Sequence, residues 1–139
     1  MLLAARSRTP DGSRSALFGR RTTALTWALE SAGWKVGRIV RFWDPNYYRT
    51  YVDGPGEPAG TMSVQQEVTR ALARPEDFLD VPAEAPDYRR KTSGMVRDTF
   101  DDDRAAFVVR DGNYVSARWP GDAHTFAKTF AAVLSKRGM

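Results

Sequence analysis

The 139-residue chain contains no cysteine. That absence excludes disulfides, zinc–thiolate centres and a cysteine nucleophile together. It contains one histidine, His124, so any imidazole chemistry rests on a single side chain. No apolar run is long enough to cross a bilayer, and MLLAARS is too short and too quickly interrupted by charge for a signal peptide. The cytoplasm is the expected compartment, with no membrane partner. Internal repeats and low-complexity tracts are missing as well. Charge is not one-sided: 21 Lys and Arg face 17 Asp and Glu, for a net charge of +4. The basic residues stand scattered at Arg20-Arg21, Arg89-Arg90-Lys91 and Lys136-Arg137. Ordinary solubility explains such a spread, and nucleic acid is not an expected partner.

What is present suits one soluble domain, with 42% hydrophobic and 27% charged residues. The last third is the most strongly patterned. Ala105, Phe107, Val108 and Val109 form one β-prone run, and Tyr114, Val115 and Ala117 form another. Asp111-Gly112 between them predicts a hairpin. Trp119-Pro120-Gly121 ends the second strand, because proline cannot donate to a ladder. Asp122 then reads as the N-cap of a helix whose apolar side is Phe126, Phe130, Val133 and Leu134, with Gly138 as its stop.

Earlier in the chain, Met1 to Ala5 reads as helix, Arg8 to Ser13 as a turn and Ser15 to Phe18 as a short strand. Arg20 to Thr23 continues as strand or corner. A helix from Leu25 to about Gly33 follows, and the segment from Trp34 to Phe42 reads as continued helix or a new strand, with helix favoured. Residues 44–61 hold three prolines and three glycines around the aromatic knot Tyr47, Tyr48, Arg49, Thr50 and Tyr51. Ser63 with Gln66 forms a capping box for a helix through Val64, Val68 and Leu72, ended by Pro75. Phe78, Leu79 and Val81 dock its exit, and 80–103 reads as an irregular excursion.

DGNYVSARWPGDAHTFAKTF resembles the C-terminal signature of the ThiJ/PfpI family, within the class I glutamine amidotransferase-like superfamily. The matching positions are Asp111, Gly112, Asn113, Ser116, Arg118, Pro120 and Gly121. GRRTTALTWALESAG, from Gly19 to Gly33, resembles that family's Gly-Arg-x-x-Thr strand and following helix. YYRTY and VQQEVTRAL resemble an insertion of one bacterial branch. The resemblance implies an α/β chain with the ancestry of a flavodoxin-like three-layer α/β/α sandwich, of which only the C-terminal half is here. It further implies a catalytic cysteine lying upstream of Met1 in a missing N-terminal half, and a homodimer. Where some family members place an imidazole, this chain has Ala24 or Leu25. Trp119 stands where the family often carries glycine.

The expected architecture is therefore one partial domain over 1–139, with loop-rich insertions at 44–61 and 80–103. Counting elements agrees independently of the resemblance: a doubly wound sheet takes roughly thirty residues per β–α unit, and this chain offers one unit plus a hairpin and helix. No catalytic residue, metal or cofactor is expected. His124 has only Ser116 and Asp122 as local partners and reads as a surface or capping residue. Asp101-Asp102-Asp103 lacks the glycine-spaced calcium pattern and reads as solvated. Ser116, Arg118 and Gly121 read as a structural corner with a charged tether. The chain is expected to be inactive alone, whereas a complete form would resemble a cysteine-dependent glyoxalase, deglycase or amidotransferase-like enzyme. The alternative is a small partner-binding or chaperone-like protein gripping its target through the exposed sheet and through Tyr47, Tyr48, Arg49 and Tyr51.

Overall fold

The computed structural model describes residues 2–136 and is mixed α/β. Five helices are present: α1 (Leu2–Arg6), α2 (Trp27–Val40), α3 (Val64–Arg70), α4 (Tyr88–Thr92) and α5 (Ala123–Ser135). Two strands, β1 (Val108–Asp111) and β2 (Tyr114–Ala117), form an antiparallel pair. Short 3-10 turns at Pro75–Asp77 and Pro120–Asp122 follow α3 and precede α5.

The hairpin lies where expected, with its register displaced by one residue. Asp111 pairs with Tyr114, so the two-residue loop is Gly112-Asn113 rather than Asp111-Gly112. Gly112 takes φ +60, and Asn113 does not share the positive φ. Glycine first in the loop matches the twist of the flanking strands at no steric cost. The first strand begins at Val108; Ala105 is buried ahead of it in irregular backbone.

Thr26 precedes α2, which runs unbroken across Gly33 and Gly37 to Val40, the favoured continued helix. Neither glycine ends it, because Tyr48 lies against both and fills the space their missing side chains leave. In α3 the Ser63 hydroxyl accepts from the Gln66 N–H at 3.3 Å, one half of the expected capping box. The strand expected over Ser15 to Phe18 does not form. Only the bridge between Arg8 and Ser15 is made, after which Leu17 turns into the core. Thr22 pairs in parallel with Phe78, again as a single bridge. The 80–103 excursion contains α4, a short helix that the polar pattern of that segment hides.

The core gathers Leu17, Ala24, Val64, Val68 and Leu72, with Leu2, Leu25, Phe78 and Tyr114 packed against it. Within α5 only Val133 is buried; Phe130 is 43% and Leu134 53% exposed. The apolar side expected to be core is thus largely uncovered. The end of α2 does the same, with Ile39 80% exposed and Phe42 and Trp43 open beside it. Met1, Arg137 and the helix stop assigned to Gly138 lie outside the described residues.

The start of α5 corrects a second expectation. Asp122 makes no side-chain bond to the helix; its Oδ2 accepts backward, from the N–H groups of Arg118 (3.1 Å) and Trp119 (3.3 Å). The cap comes instead from Asp98, whose carboxylate accepts from the N–H of His124 at 3.2 Å and of Thr125 at 2.6 Å. A loop carboxylate far away in sequence satisfies free helix donors as a neighbouring N-cap would. Burial works against the charged form of Asp98, but the bonds to Thr125 and His124 outweigh it and hold the carboxyl below its ordinary range. The sign follows: the stabilisation is complete above the unfolded carboxyl value of about 3.9 and is lost as pH falls toward the depressed folded value. Asp98→Ala is expected to cost about 1–2 kcal/mol at pH 7, with the difference from wild type shrinking below pH 3. Urea unfolding at the two pH values measures it.

Candidate functional site

The aromatic knot is built around a buried cation. The Arg49 side chain is 1% exposed, and its guanidinium packs against the neighbouring rings of Trp27 (4.9 Å) and Trp34 (5.1 Å). Both tryptophans stand on α2, and Glu30, one turn on from Trp27, brings its buried carboxylate to 3.4 Å from the Arg49 Nε. On the other side Asp53 lies 3.1 Å from Nη2. These contacts are electrostatic rather than well-aligned hydrogen bonds, since neither Nε nor Nη2 finds hydrogen-bond geometry.

Each acid also binds backbone. Glu30 Oε2 accepts the Val64 N–H at 2.9 Å, at the start of α3. Gln65 of α3 returns the favour, its Oε1 accepting the Trp27 N–H at 2.8 Å at the start of α2. Two helices thus cap each other through side chains, with Arg49 fixed between them. Asp53 accepts from the N–H groups of Gly60 (3.0 Å) and Met62 (2.8 Å), closing the loop on itself. Burial disfavours the charge on Asp53, yet the Met62 and Gly60 bonds with Arg49 hold its carboxyl below the ordinary range. Gly60, at φ +94, lies so near the Trp27 ring that a Cβ there would sit 2.7 Å from Cε2.

The arginine and the three tyrosines of the knot therefore divide. Arg49 is internal; Tyr48 lies half open along α2; Tyr47 stacks under Arg41 at 3.7 Å; Tyr51 lies under Arg6 at 4.7 Å. Tyr47 and Tyr48 form a ring pair at 5.0 Å, and the open Phe42 and Trp43 form another at 5.2 Å. Sequence pattern picks out Arg49 and the tyrosines. It misses Glu30, Asp53 and Gln65, although a carboxylate four residues before Trp34 on an otherwise apolar helix face is a readable signal.

The residues of the hairpin and corner converge on the Arg21–Thr23 segment. The Asp111 Oδ2 accepts the Arg21 N–H at 3.0 Å, the Tyr114 hydroxyl lies 2.8 Å from the Thr22 Oγ1, and Ser116 Oγ accepts the Thr23 N–H at 3.0 Å. The 77–79 segment binds the far side, Leu79 donating to Thr22 at 2.7 Å and Thr22 to Asp77 at 2.9 Å. Arg118 and Asp122 are both fully buried at the corner. Burial pushes Arg118 down and Asp122 up from their ordinary ranges, each only partly opposed by the other's charge. Among the described residues the Arg118 Nε and Nη2 and the Asp122 Oδ1 find no hydrogen-bond partner. Pro120 and Gly121 form the 3-10 turn, and Trp119 lies over Gly121. An apolar groove of about 590 Å³ runs beside the corner, with Leu25, Val64, Val115, Trp119 and Phe126 among its walls.

His124 meets Asp98 through its backbone N–H, and its ring has no hydrogen bond to Ser116 or Asp122. Asp102 is held by Arg104 at 2.7 Å and faces Arg90 at 3.8 Å, an exposed network. Among the described residues no three His, Cys, Asp or Glu side chains are grouped to hold a metal ion, and no helix is long and apolar enough to cross a membrane. No protein-family model, curated protein or solved structure matches the chain.

Proposed function

We propose that the chain is a ThiJ/PfpI-like half-domain of flavodoxin-like ancestry, inactive alone, that works by joining a complementary polypeptide surface. The uncovered apolar sides of α5 and of the end of α2 carry this reading: helix faces patterned as core are left open. Helices of a three-layer sandwich bury such faces against a sheet of several strands, and here the sheet has two. Support for the family comes from the two stretches that resemble it, GRRTT and DGNYVS, which bind each other through Asp111, Tyr114 and Ser116. The complement would supply the remaining strands and the cysteine on its strand-to-helix turn. The completed domain would act as a cysteine-dependent glyoxalase, deglycase or amidotransferase-like enzyme on small carbonyl compounds. In the cytoplasm, two completed domains would pair as a homodimer.

Co-expression with the cysteine-bearing half of a ThiJ/PfpI protein tests the reading. The expected result is a soluble complex that consumes methylglyoxal, with no turnover by this chain alone. Turnover by the chain alone that disappears on His124→Ala, or failure of the halves to associate, would overturn it. The second reading, a partner-binding module, draws on the open Tyr47, Phe42 and Trp43. A cooperatively folded monomer that binds no such half would favour it.

A further inference from the structure

Away from both features, the chain between α1 and the core folds into a small loop that carries charge. Thr9 donates its N–H to the Arg14 carbonyl at 2.9 Å, Gly12 to Thr9 at 2.7 Å and Ala16 to Ser7 at 2.8 Å. The one acid of this loop, Asp11, accepts from the Ser13 N–H at 3.0 Å and from the Thr9 hydroxyl, so its carboxylate is engaged inside the turn. Arg8 and Arg14 are left on the outside. The loop faces α3 across an open groove of about 570 Å³, within the range of small-molecule sites.

Four arginines line that groove: Arg6, Arg8, Arg14 and Arg70. Glu67 is the one acid among its walls. Glu67 is already shared, with Arg6 Nε at 3.2 Å from Oε1 and Arg70 Nη2 at 3.1 Å from Oε2. The Arg70 bond, aided by Arg6, holds its carboxyl below the ordinary range, so it stays charged and saturated. Arg8 and Arg14 have no carboxylate within ion-pair distance among the described residues. Arg14 instead stacks over the open ring of Phe18 at 4.3 Å. The hydroxyls of Ser13 and Ser15 complete the polar wall.

We infer that this groove binds a small phosphate-bearing molecule, with Arg8 and Arg14 taking the phosphates. A guanidinium presents planar paired donors that match phosphate oxygens, and two such groups on one concave wall suit a diphosphate better than a single carboxylate. Arg6 and Arg70, neutralised only in part by one shared carboxylate, add field without competing for the same oxygens. The Phe18 ring, 42% exposed beneath Arg14, adds an apolar wall beside the phosphates, which suits the rest of a nucleoside-like molecule. A nucleic-acid strand would need a basic track beyond the groove, whereas none of Arg20, Arg21, Arg89, Arg90 and Lys91 lines it.

Isothermal titration of the full chain with pyrophosphate and with adenosine 5′-diphosphate, at 50 and 200 mM salt, tests the assignment. Binding of both is expected, tighter for the nucleoside diphosphate and weaker at higher salt. Arg8→Gln and Arg14→Gln together should lower affinity about tenfold or more, while Arg89→Gln leaves it unchanged. Both arginines are exposed, so the double variant is expected to keep the wild-type fold, with circular dichroism as the check. The inference falls if neither probe binds at 1 mM in low salt. It falls equally if the double variant binds like wild type, or if only a single-stranded oligonucleotide binds with this arginine dependence. The site does not depend on the half-domain reading, since its walls are α1, the 8–18 loop and α3 with the two residues after it.

Discussion

Arg49→Ala is expected to cost about 3–5 kcal/mol, a third or more of the stability of an ordinary domain. The Arg49 side chain is 1% and the Glu30 side chain 0% exposed, so removing the cation strands a carboxylate where water does not reach. Asp53 loses the same neighbour at 3.1 Å. The effect spreads because Glu30 also holds the first turn of α3 through Val64, and the 44–61 loop lies on α2 through Arg49 and Tyr48. Thermal unfolding followed by circular dichroism should show a midpoint lowered by roughly 10–20 °C. The paired change Glu30→Gln with Arg49→Met should cost clearly less than Arg49→Ala, because it removes both charges together. Equal losses for the two variants would mean that packing against Trp27 and Trp34 matters and the ion pair does not.

Asp122→Ala is expected to cost about 3 kcal/mol, and Asp122→Asn less than about 1 kcal/mol. The Asp122 Oδ2 is the side-chain acceptor for the N–H groups of Arg118 and Trp119, at a corner where the Arg118 and Asp122 side chains are fully buried. Alanine leaves the Trp119 N–H without its acceptor and the Arg118 N–H with only the Phe107 carbonyl at 3.3 Å, and it also removes the counter-charge near a buried Arg118. Asparagine keeps an acceptor oxygen in place and removes a carboxylate whose charged form burial already disfavours. A raised folded value means that Asp122 costs stability as pH climbs from the unfolded carboxyl range through that value. Asp122→Asn should therefore lose this pH dependence, opposite in sign to that of Asp98. Urea midpoints between pH 3 and pH 7 for the wild type and both variants distinguish the cases.

Local pattern carried the hairpin, α2, α3 and α5, because each is specified by turn residues, caps or apolar spacing within a few residues. Three features escaped it for one reason: they are set by contacts across long stretches of chain. Asp98 reaches α5 across 26 residues, Glu30 reaches Val64 across 34, and Ser116 reaches Thr23 across 93. A carboxylate's role as a distant cap leaves no periodicity to read. The strand expected at Ser15 to Phe18 failed for a related reason, since it has one bridge partner at Arg8 and no second strand to extend the ladder. The tyrosine knot was legible as a cluster. Its division into a buried Arg49 and half-open tyrosines was not, because only the tertiary fold sets Glu30 and Asp53 on either side of the guanidinium.

Uncovered helix faces are the common thread. Phe130 and Leu134 on α5, and Ile39, Phe42 and Trp43 at the end of α2, leave large apolar side chains open on two helix ends, the kind of surface that marks interaction sites. Sedimentation velocity of the isolated chain over micromolar concentrations tests that most directly. A concentration-dependent species heavier than 15.6 kDa is the expected result. A single sharp boundary at the monomer mass across the whole range would contradict it.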